Sequence, residues 1–350
     1  MNYSDTVCRS LRQARVFSDS EGHPVTSIDI SPDGAQVVVS SEDEALRLYD
    51  AYDSGEIIKT LHAKKYGVSL VRFSHAPGTV VCASRNKWDN CLRYWSLHDN
   101  RYLRYFKGHR AEVVGLSVSP KEDKLLSASA DGTCRLWDLR SDACAGFLRL
   151  PTTNARPLIA YDDTGIIFAV ALTTAGQGAS IKLYSASDHD RGPFQTIKVA
   201  DPQASYATSL KFSSNGKYLL LAGGSSTCFL IDSFESIIVC EYRLSSPGPA
   251  SVITDAAMTP DCTYVIAGTS GPSGSKGGSI HIWPFGVTKG YDAMTSGPRI
   301  INEEVAVLED AHSGPVQALV CSPTTLLVAS ACRNLNFWIP DLDEVTRISR

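Results

Sequence analysis

Short apolar runs of strand length alternate along this chain with clusters of Ser, Pro, Asp, Asn and Gly. The clearest stretch lies between residues 106 and 140. The apolar strand Val113–Val118 is followed by the turn Ser119-Pro120, then by Ser127, Ser129 and the turn Asp131-Gly132, and a further strand ends in Leu136-Trp137-Asp138. Four short antiparallel strands, each bounded by turn chemistry, fit that span. A sheet of this size cannot bury both of its faces alone, so the pattern predicts copies of itself elsewhere.

The copies are present in degraded form. The strand ending at Trp137 recurs around Leu48-Tyr49-Asp50, Tyr94-Trp95, Leu183-Tyr184, Leu230-Ile231-Asp232, Ile282-Trp283 and Phe337-Trp338, with steps of 46, 42, 47, 47, 52 and 55 residues. A turn after each innermost strand recurs as well. It reads Ser31-Pro32-Asp33-Gly34, Ser74-His75-Ala76-Pro77, Ser119-Pro120, Asp162-Asp163-Thr164-Gly165, Ser213-Ser214-Asn215-Gly216, Thr259-Pro260-Asp261 and Ser322-Pro323. Pro pre-sets turn dihedrals, while Asn, Asp and Gly tolerate them. Gly108-His109 followed about 28 residues later by Trp137-Asp138 is the signature of one WD-repeat propeller blade. Two independent markers each count seven, which predicts an all-β, seven-bladed WD-repeat β-propeller occupying residues 1–350 as a single domain.

A ring of blades leaves two exposed sheet edges unless its first and last blades are joined. Too few residues follow Phe337-Trp338 for a convincing outer strand in the seventh blade. Residues 7–17, ahead of the first inner strand Val25–Ile30, are expected to supply it, pairing beside 334–339 and closing the ring. Three segments disturb the repeat: a hairpin enlargement at 173–180 in the fourth blade, a Gly-rich loop at 269–278, and 284–304, read as an enlarged connection from the sixth blade to the seventh. These are expected to be mobile attachments suited to particular partners.

Composition narrows the function. Of 350 residues 43% are hydrophobic and 20% charged, which suits a soluble globular protein, and the net charge of -4 argues against a general nucleic-acid binder. No apolar run approaches the roughly 18 residues that span a bilayer, so no membrane association is expected. The first residues, with Asp5, Arg9, Arg12 and Arg15, lack the apolar stretch of a signal peptide. None of the ten cysteines forms a C-x-x-C pair, and Cys82, Cys134, Cys228 and Cys321 sit in strand-like runs as small hydrophobes. That usage fits a reducing compartment, nucleus or cytoplasm.

His109, Asp131, Trp137 and a strand hydroxyl, Ser127 ahead of Ser129, are expected to form one buried hydrogen-bonded network that rigidifies the third blade. Its competitor is a catalytic dyad, which would need an exposed cleft and a nucleophile. Other blades keep fragments, such as His23, His312 and Asp43, and are expected to be held more by packing. Phosphate-loop, zinc-protease and nucleophile-elbow motifs are absent, and His62, His75, His98, His189 and His281 lack metal-ligand spacing, so neither metal nor cofactor is implied. Lys64, Lys65 and Tyr66 form one loop and Arg85, Lys87 and Trp88 another in the second blade, with Arg110 and Arg333 directed to the same face. A local basic cluster with aromatics suits a phosphorylated or acidic peptide. Its competitor is a scatter of solvated charges.

Residues 64–68, 79–81, 96–102 and 104–106, ending at Gly108-His109, together with 7–17, 192–194, 329–332 and Phe337-Trp338, resemble the WD repeat-containing protein 82 family. The likeness spans about residues 7–340 and departs at 173–180 and 269–304. It implies a non-catalytic nuclear adaptor shared between a COMPASS-type histone methyltransferase assembly and a protein phosphatase 1 assembly. The latter is built on a phosphatase nuclear-targeting subunit and acts in transcription termination. The resemblance also implies association with the phosphorylated C-terminal repeat domain of RNA polymerase II. Two other readings stand beside it: a cytoplasmic WD-repeat adaptor in trafficking or ubiquitin ligation, and a propeller enzyme with titratable groups at the channel mouth.

Overall fold

The computed structural model describes residues 2–346 apart from 87, 152–155, 246–250, 272–276, 288–290, 292, 342 and 344. Its strands form seven antiparallel blades. Residues 25–62 supply the first, as Val25–Ile30, Gln36–Ser41, Ala45–Asp50 and Ile57–His62 from the hub outward. The second runs Ser69–Phe73, Thr79–Ala83, Leu92–Ser96 and Arg101–Phe106, and the third Val113–Val118, Lys124–Ser129, Thr133–Asp138 and Cys144–Arg149. The seventh consists of Ala318–Cys321, Val328–Ala331 and Leu335–Pro340, and Leu11–Phe17 completes it by pairing antiparallel with Leu335–Pro340.

Burial explains why the strands read as they do. The second strand of a blade has neighbours on both sides and blades packed on both faces. Thr79–Ala83 is therefore buried throughout, and after Thr79 it runs continuously apolar. Outer strands such as Arg101–Phe106 alternate exposed positions with part-buried or buried ones. Each apolar cluster lies between consecutive blades: Val38, Leu46, Val80 and Trp95 join the first to the second, and Val81, Leu92, Leu125 and Trp137 the second to the third. The circle closes where Val37, Val39 and Tyr49 of the first blade meet Ala329, Leu335 and Phe337 of the seventh. Cysteines fill these interiors as small apolar groups, and burial pushes the Cys82 and Cys134 thiols up to about 12.

Innermost strands line the channel and would leave backbone donors unpaired. Side chains of the preceding blade accept from them. Ser27 Oγ takes the N–H of Val71 at 2.8 Å and Asp29 Oδ2 that of Phe73 at 2.7 Å. Ser117 Oγ takes Tyr161 N–H at 3.1 Å, and Asp255 Oδ2 takes Leu319 N–H at 2.9 Å. Asp255 also binds Lys211 Nζ at 3.0 Å, and Lys211 reaches the Leu319 carbonyl at 3.0 Å, so one cluster staples the fifth, sixth and seventh blades. Burial pushes the Asp29 carboxyl pKa upward, opposed by Arg72 and the Phe73 N–H.

Three expectations change. Residues 7–9 are not strand but the end of a short helix, Asp5–Arg9, whose N-cap Ser4 accepts from the Val7 N–H at 3.3 Å. Val7 and Cys8 bury against the sixth and seventh blades, while Tyr264 Oη donates to Asp5 at 2.6 Å, so an apolar helical face overrides strand pairing there. Residues 173–180 are not a loose loop: Ile167–Thr174 and Gly178–Ser185 remain paired as far as Thr174 opposite Gly178. The 284–304 stretch joins the third and fourth strands of the sixth blade, Gly278–Pro284 and Ala306–His312, rather than linking that blade to the seventh. Within it Arg299–Ile301 adds a parallel fifth strand to the outer edge of the fifth blade. Gly286, at φ 76°, leaves the space that the buried Ile301 fills; a Cβ there would lie 2.2 Å from Ile301 Cδ1. Of the 269–278 loop, residues 272–276 lie outside the described residues.

Candidate functional site: the loop face of the second blade

The two second-blade loops are tied together by their backbones. Arg85 and Asn86 N–H groups both donate to the Tyr66 carbonyl at 2.9 Å, and Gly67, at φ 66°, gives the first loop its turn. A side chain at Gly67 would strike Asn86. Lys64 and Lys65 on the first loop are exposed, and Trp88 on the second is 72% exposed. Lys87 lies outside the described residues.

Tyr66 is not a free recognition side chain. Its ring covers the Arg93 guanidinium at 3.7 Å, with Tyr102 and Tyr105 at 5.6 and 5.7 Å. Lys65 Nζ lies 5.0 Å from the other partner of that stack, the Tyr66 ring. Arg93, only 2% exposed, pairs with Asp89 Oδ2 at 2.7 Å and donates to Ser84 Oγ. Burial opposes charge on Asp89, yet Arg93 and Ser84 hold its carboxyl below the usual range. The first blade repeats the device: Arg47 donates to Ser41 Oγ at 2.7 Å and pairs with Asp43. The expectation that these blades rely mainly on packing is therefore corrected. The signal was an Asp four residues before an Arg, at 43/47 and 89/93.

Neighbouring acids reduce the basic cluster. Arg85 is ion-paired with Glu42, and Asn86 donates to Glu44, both acids belonging to the first blade. Arg85 and Glu42 share the rim of a channel-mouth depression of about 350 Å³ with Glu112 and Arg156, themselves 3.7 Å apart. Arg110 is exposed in the third blade's entry loop, its N–H held by Asp131 at 2.8 Å. Arg333 is exposed in the seventh blade, its carbonyl accepting from Ser20 Oγ. The structure thus joins Lys64, Lys65, Arg85 and Trp88 on one clamped surface and leaves Arg333 on a blade two places away around the ring.

In the third blade His109 Nε2 lies 2.7 Å from Ser127 Oγ, Trp137 Nε1 donates to the same oxygen at 2.9 Å, and His109 Nδ1 lies 3.2 Å from Asp131. Ser129 Oγ instead donates to the Ala111 carbonyl at 3.0 Å. Burial lowers the His109 pKa, so the network assigns a neutral ring with its Nδ1–H toward Asp131. Burial opposes the Asp131 charge, but bonds from Thr133 and Arg110 hold its carboxyl below the usual range. Ser, His and Asp stand in triad order here, but Ser127 is fully buried and its oxygen is already engaged by Trp137, so no substrate reaches it. A partial copy without the carboxylate, beyond the expectation that the fragment at His312 relies on packing, joins the outer strand of the sixth blade to the seventh. His312 Nε2 and Trp338 Nε1 each lie 2.7 Å from Ser330 Oγ, and His312 precedes Ser330 by 18 residues, as His109 precedes Ser127. Among the described residues no group of three or more His, Cys, Asp or Glu side chains could hold a metal ion, and no helix is long and apolar enough to cross a membrane.

Residues 13–50 and 100–138 match the family model described as WD domain, G-beta repeat. The chain is 38% identical to WD repeat-containing protein 82 of Drosophila melanogaster, over 97% of this chain and 98% of that protein. It is 33% identical to the COMPASS component SWD2 of Saccharomyces cerevisiae over 91% of each chain. Set1 complex component swd2 of Schizosaccharomyces pombe is 36% identical over 69% of this chain and 67% of that protein.

Proposed function

The chain belongs to the WD repeat-containing protein 82 family, and we propose that it is a non-catalytic nuclear adaptor, a subunit of a COMPASS-type histone methyltransferase complex. The names of its two yeast relatives, a COMPASS component and a Set1 complex component, support that reading. The same adaptor serves a protein phosphatase 1 assembly built on a nuclear-targeting subunit. There it receives the phosphorylated C-terminal repeats of RNA polymerase II during transcription termination. Its mechanism is recruitment: a rigid disc that holds one partner raises the effective concentration of another. No chemical step occurs on this chain, and nucleic acid reaches it only through protein partners.

The clamped second-blade surface is the observation that carries the phosphate-binding part. Lys64 and Lys65 are exposed cations on a backbone fixed by Tyr66 and Arg93, with Trp88 beside them as an exposed aromatic anchor. Arg85 contributes less because Glu42 already engages it. The test is titration of phosphorylated repeat peptides against the double variant Lys64→Glu/Lys65→Glu at several salt concentrations. Weaker binding with a shallower salt dependence is expected. Unchanged affinity and salt dependence would remove both lysines from the site. Purification of the tagged protein tests the adaptor reading: methyltransferase or phosphatase subunits should accompany it, and coat or ligase subunits alone would reject it.

A further inference from the structure

We propose that the opposite face of the disc docks an Arg- and Lys-rich protein segment, centred on Ile166, Phe194 and Phe234 of the fourth and fifth blades. Antiparallel strands place all first-to-second and third-to-fourth turns on one face, away from Lys64 and Lys65. That face gathers acidic residues such as Asp33, Asp53, Asp99 and Asp142, all exposed, although the whole chain carries a net charge of only -4.

Within this field lies an apolar patch. Ile166, Phe194 and Phe234 are 63%, 56% and 67% exposed. Backbone and side-chain bonds tie together the turns that carry them. The Ala186 N–H donates to the Ile166 carbonyl at 2.8 Å, which joins the inner turn of the fourth blade to the connection ending at Phe194. The next residue, Gln195, donates through Nε2 to the Phe234 carbonyl at 3.0 Å and to Ser236 Oγ, crossing to the fifth blade. Asp232 Oδ1 accepts the N–H groups of Phe234 and Glu235 at 2.9 and 3.1 Å and Ser236 sits at φ 59°, so the turn holds the phenyl group outward. An outward-held aromatic group among polar turns marks an interaction surface.

The charge around the patch selects the partner. Asp163, Asp190 and Glu235 are exposed there. Of the bases on this part of the face, Arg191 pairs with Asp188 at 3.0 Å and Lys217 with Asp232 at 3.3 Å, while Lys121 stands beside the Gly165 turn. His189 lies 3.5 Å from Asp190. A guanidinium can lie over a phenyl face while pairing with an adjacent carboxylate, and an acidic partner would be repelled. The adaptor thereby offers a basic surface on one face and an acidic, aromatic surface on the other.

The test is titration of a labelled synthetic Arg/Gly peptide against the intact chain, the double variant Phe194→Ala/Phe234→Ala and the variant Glu235→Lys. All three side chains are exposed, so the variants keep their cores. Each variant should bind about tenfold more weakly, and the parent's affinity should fall with salt. The Lys64→Glu/Lys65→Glu variant should keep its Arg/Gly affinity, which separates this surface from the phosphate-binding one. Unchanged affinity in the Phe double variant would overturn the proposal. So would failure of the parent to bind the peptide, or sedimentation showing that the patch pairs two copies of this chain.

Discussion

Replacing Arg93 with Met tests whether a buried ion pair positions the loop proposed to bind phosphate. The Arg93 side chain is 3% exposed and its partner Asp89 35%, joined at 2.7 Å, with the guanidinium under the Tyr66 ring at 3.7 Å. Breaking a buried pair costs about 3–5 kcal/mol, but Asp89 can partly rehydrate, so the loss should be about 2–3 kcal/mol. Tyr66 loses its cationic partner as well, and the loop carrying Lys64 and Lys65 loosens. Arg47→Met in the first blade is the matched control, since Arg47 forms the equivalent pair with Asp43 without touching Tyr66. Urea unfolding followed by tryptophan fluorescence should show similar losses for both variants. Peptide titration should separate them: Arg93→Met binds phosphorylated repeat peptides more weakly, whereas Arg47→Met binds like the parent. Arg93→Met unfolding with the parent, or equal binding by the two variants, would refute the positioning role.

Further tests address the rest of the ring. Trp137→Ala should cost about 3–5 kcal/mol and lower the melting temperature by several degrees, as truncation of a large core side chain does. Asp255→Ala removes the acceptor of the Leu319 N–H and the partner of Lys211, which is one-third exposed. The expected loss is about 2 kcal/mol in denaturant unfolding, and an unshifted midpoint would show the staple to be dispensable. His312 is pushed down to about 4 by burial. The unfolded chain therefore binds an extra proton below its ordinary value of about 6.5, and stability should fall by about 3 kcal/mol as pH drops from 6.5 toward 4. Unfolding measured across that range should be flatter in His312→Gln. Phe17→Ala removes a ring that packs 4.7 Å from Tyr49 and 5.2 Å from Phe337, and should speed proteolysis near the N-terminus by loosening the closing strand.

Turn chemistry and strand length are local, which is why the seven blades were legible from the chain alone. Ser31-Pro32-Asp33-Gly34 and its counterparts must reverse the backbone wherever they occur, and Thr79–Ala83 is apolar after its first residue because a middle strand has no wet face. The need to close the ring likewise pointed to the residues before Val25, and Leu11–Phe17 fills that role. The His109 network was legible because its members fall within one repeat.

Tertiary structure decided whatever depends on residues a blade apart. Glu42 and Arg85 are 43 positions apart in sequence, and only the circular packing of blades makes them partners and weakens the basic cluster. Tyr66 could be read as a recognition side chain until Arg93, on a strand of its own blade, claimed its face. The stretch holding Arg299–Ile301 left no periodic signal of its destination, because an added edge strand needs a free edge and a pocket such as that beside Gly286. Local rules fix which segments become strands; pairing of charges and edges is fixed by distance in space, which the chain acquires only once the ring has formed.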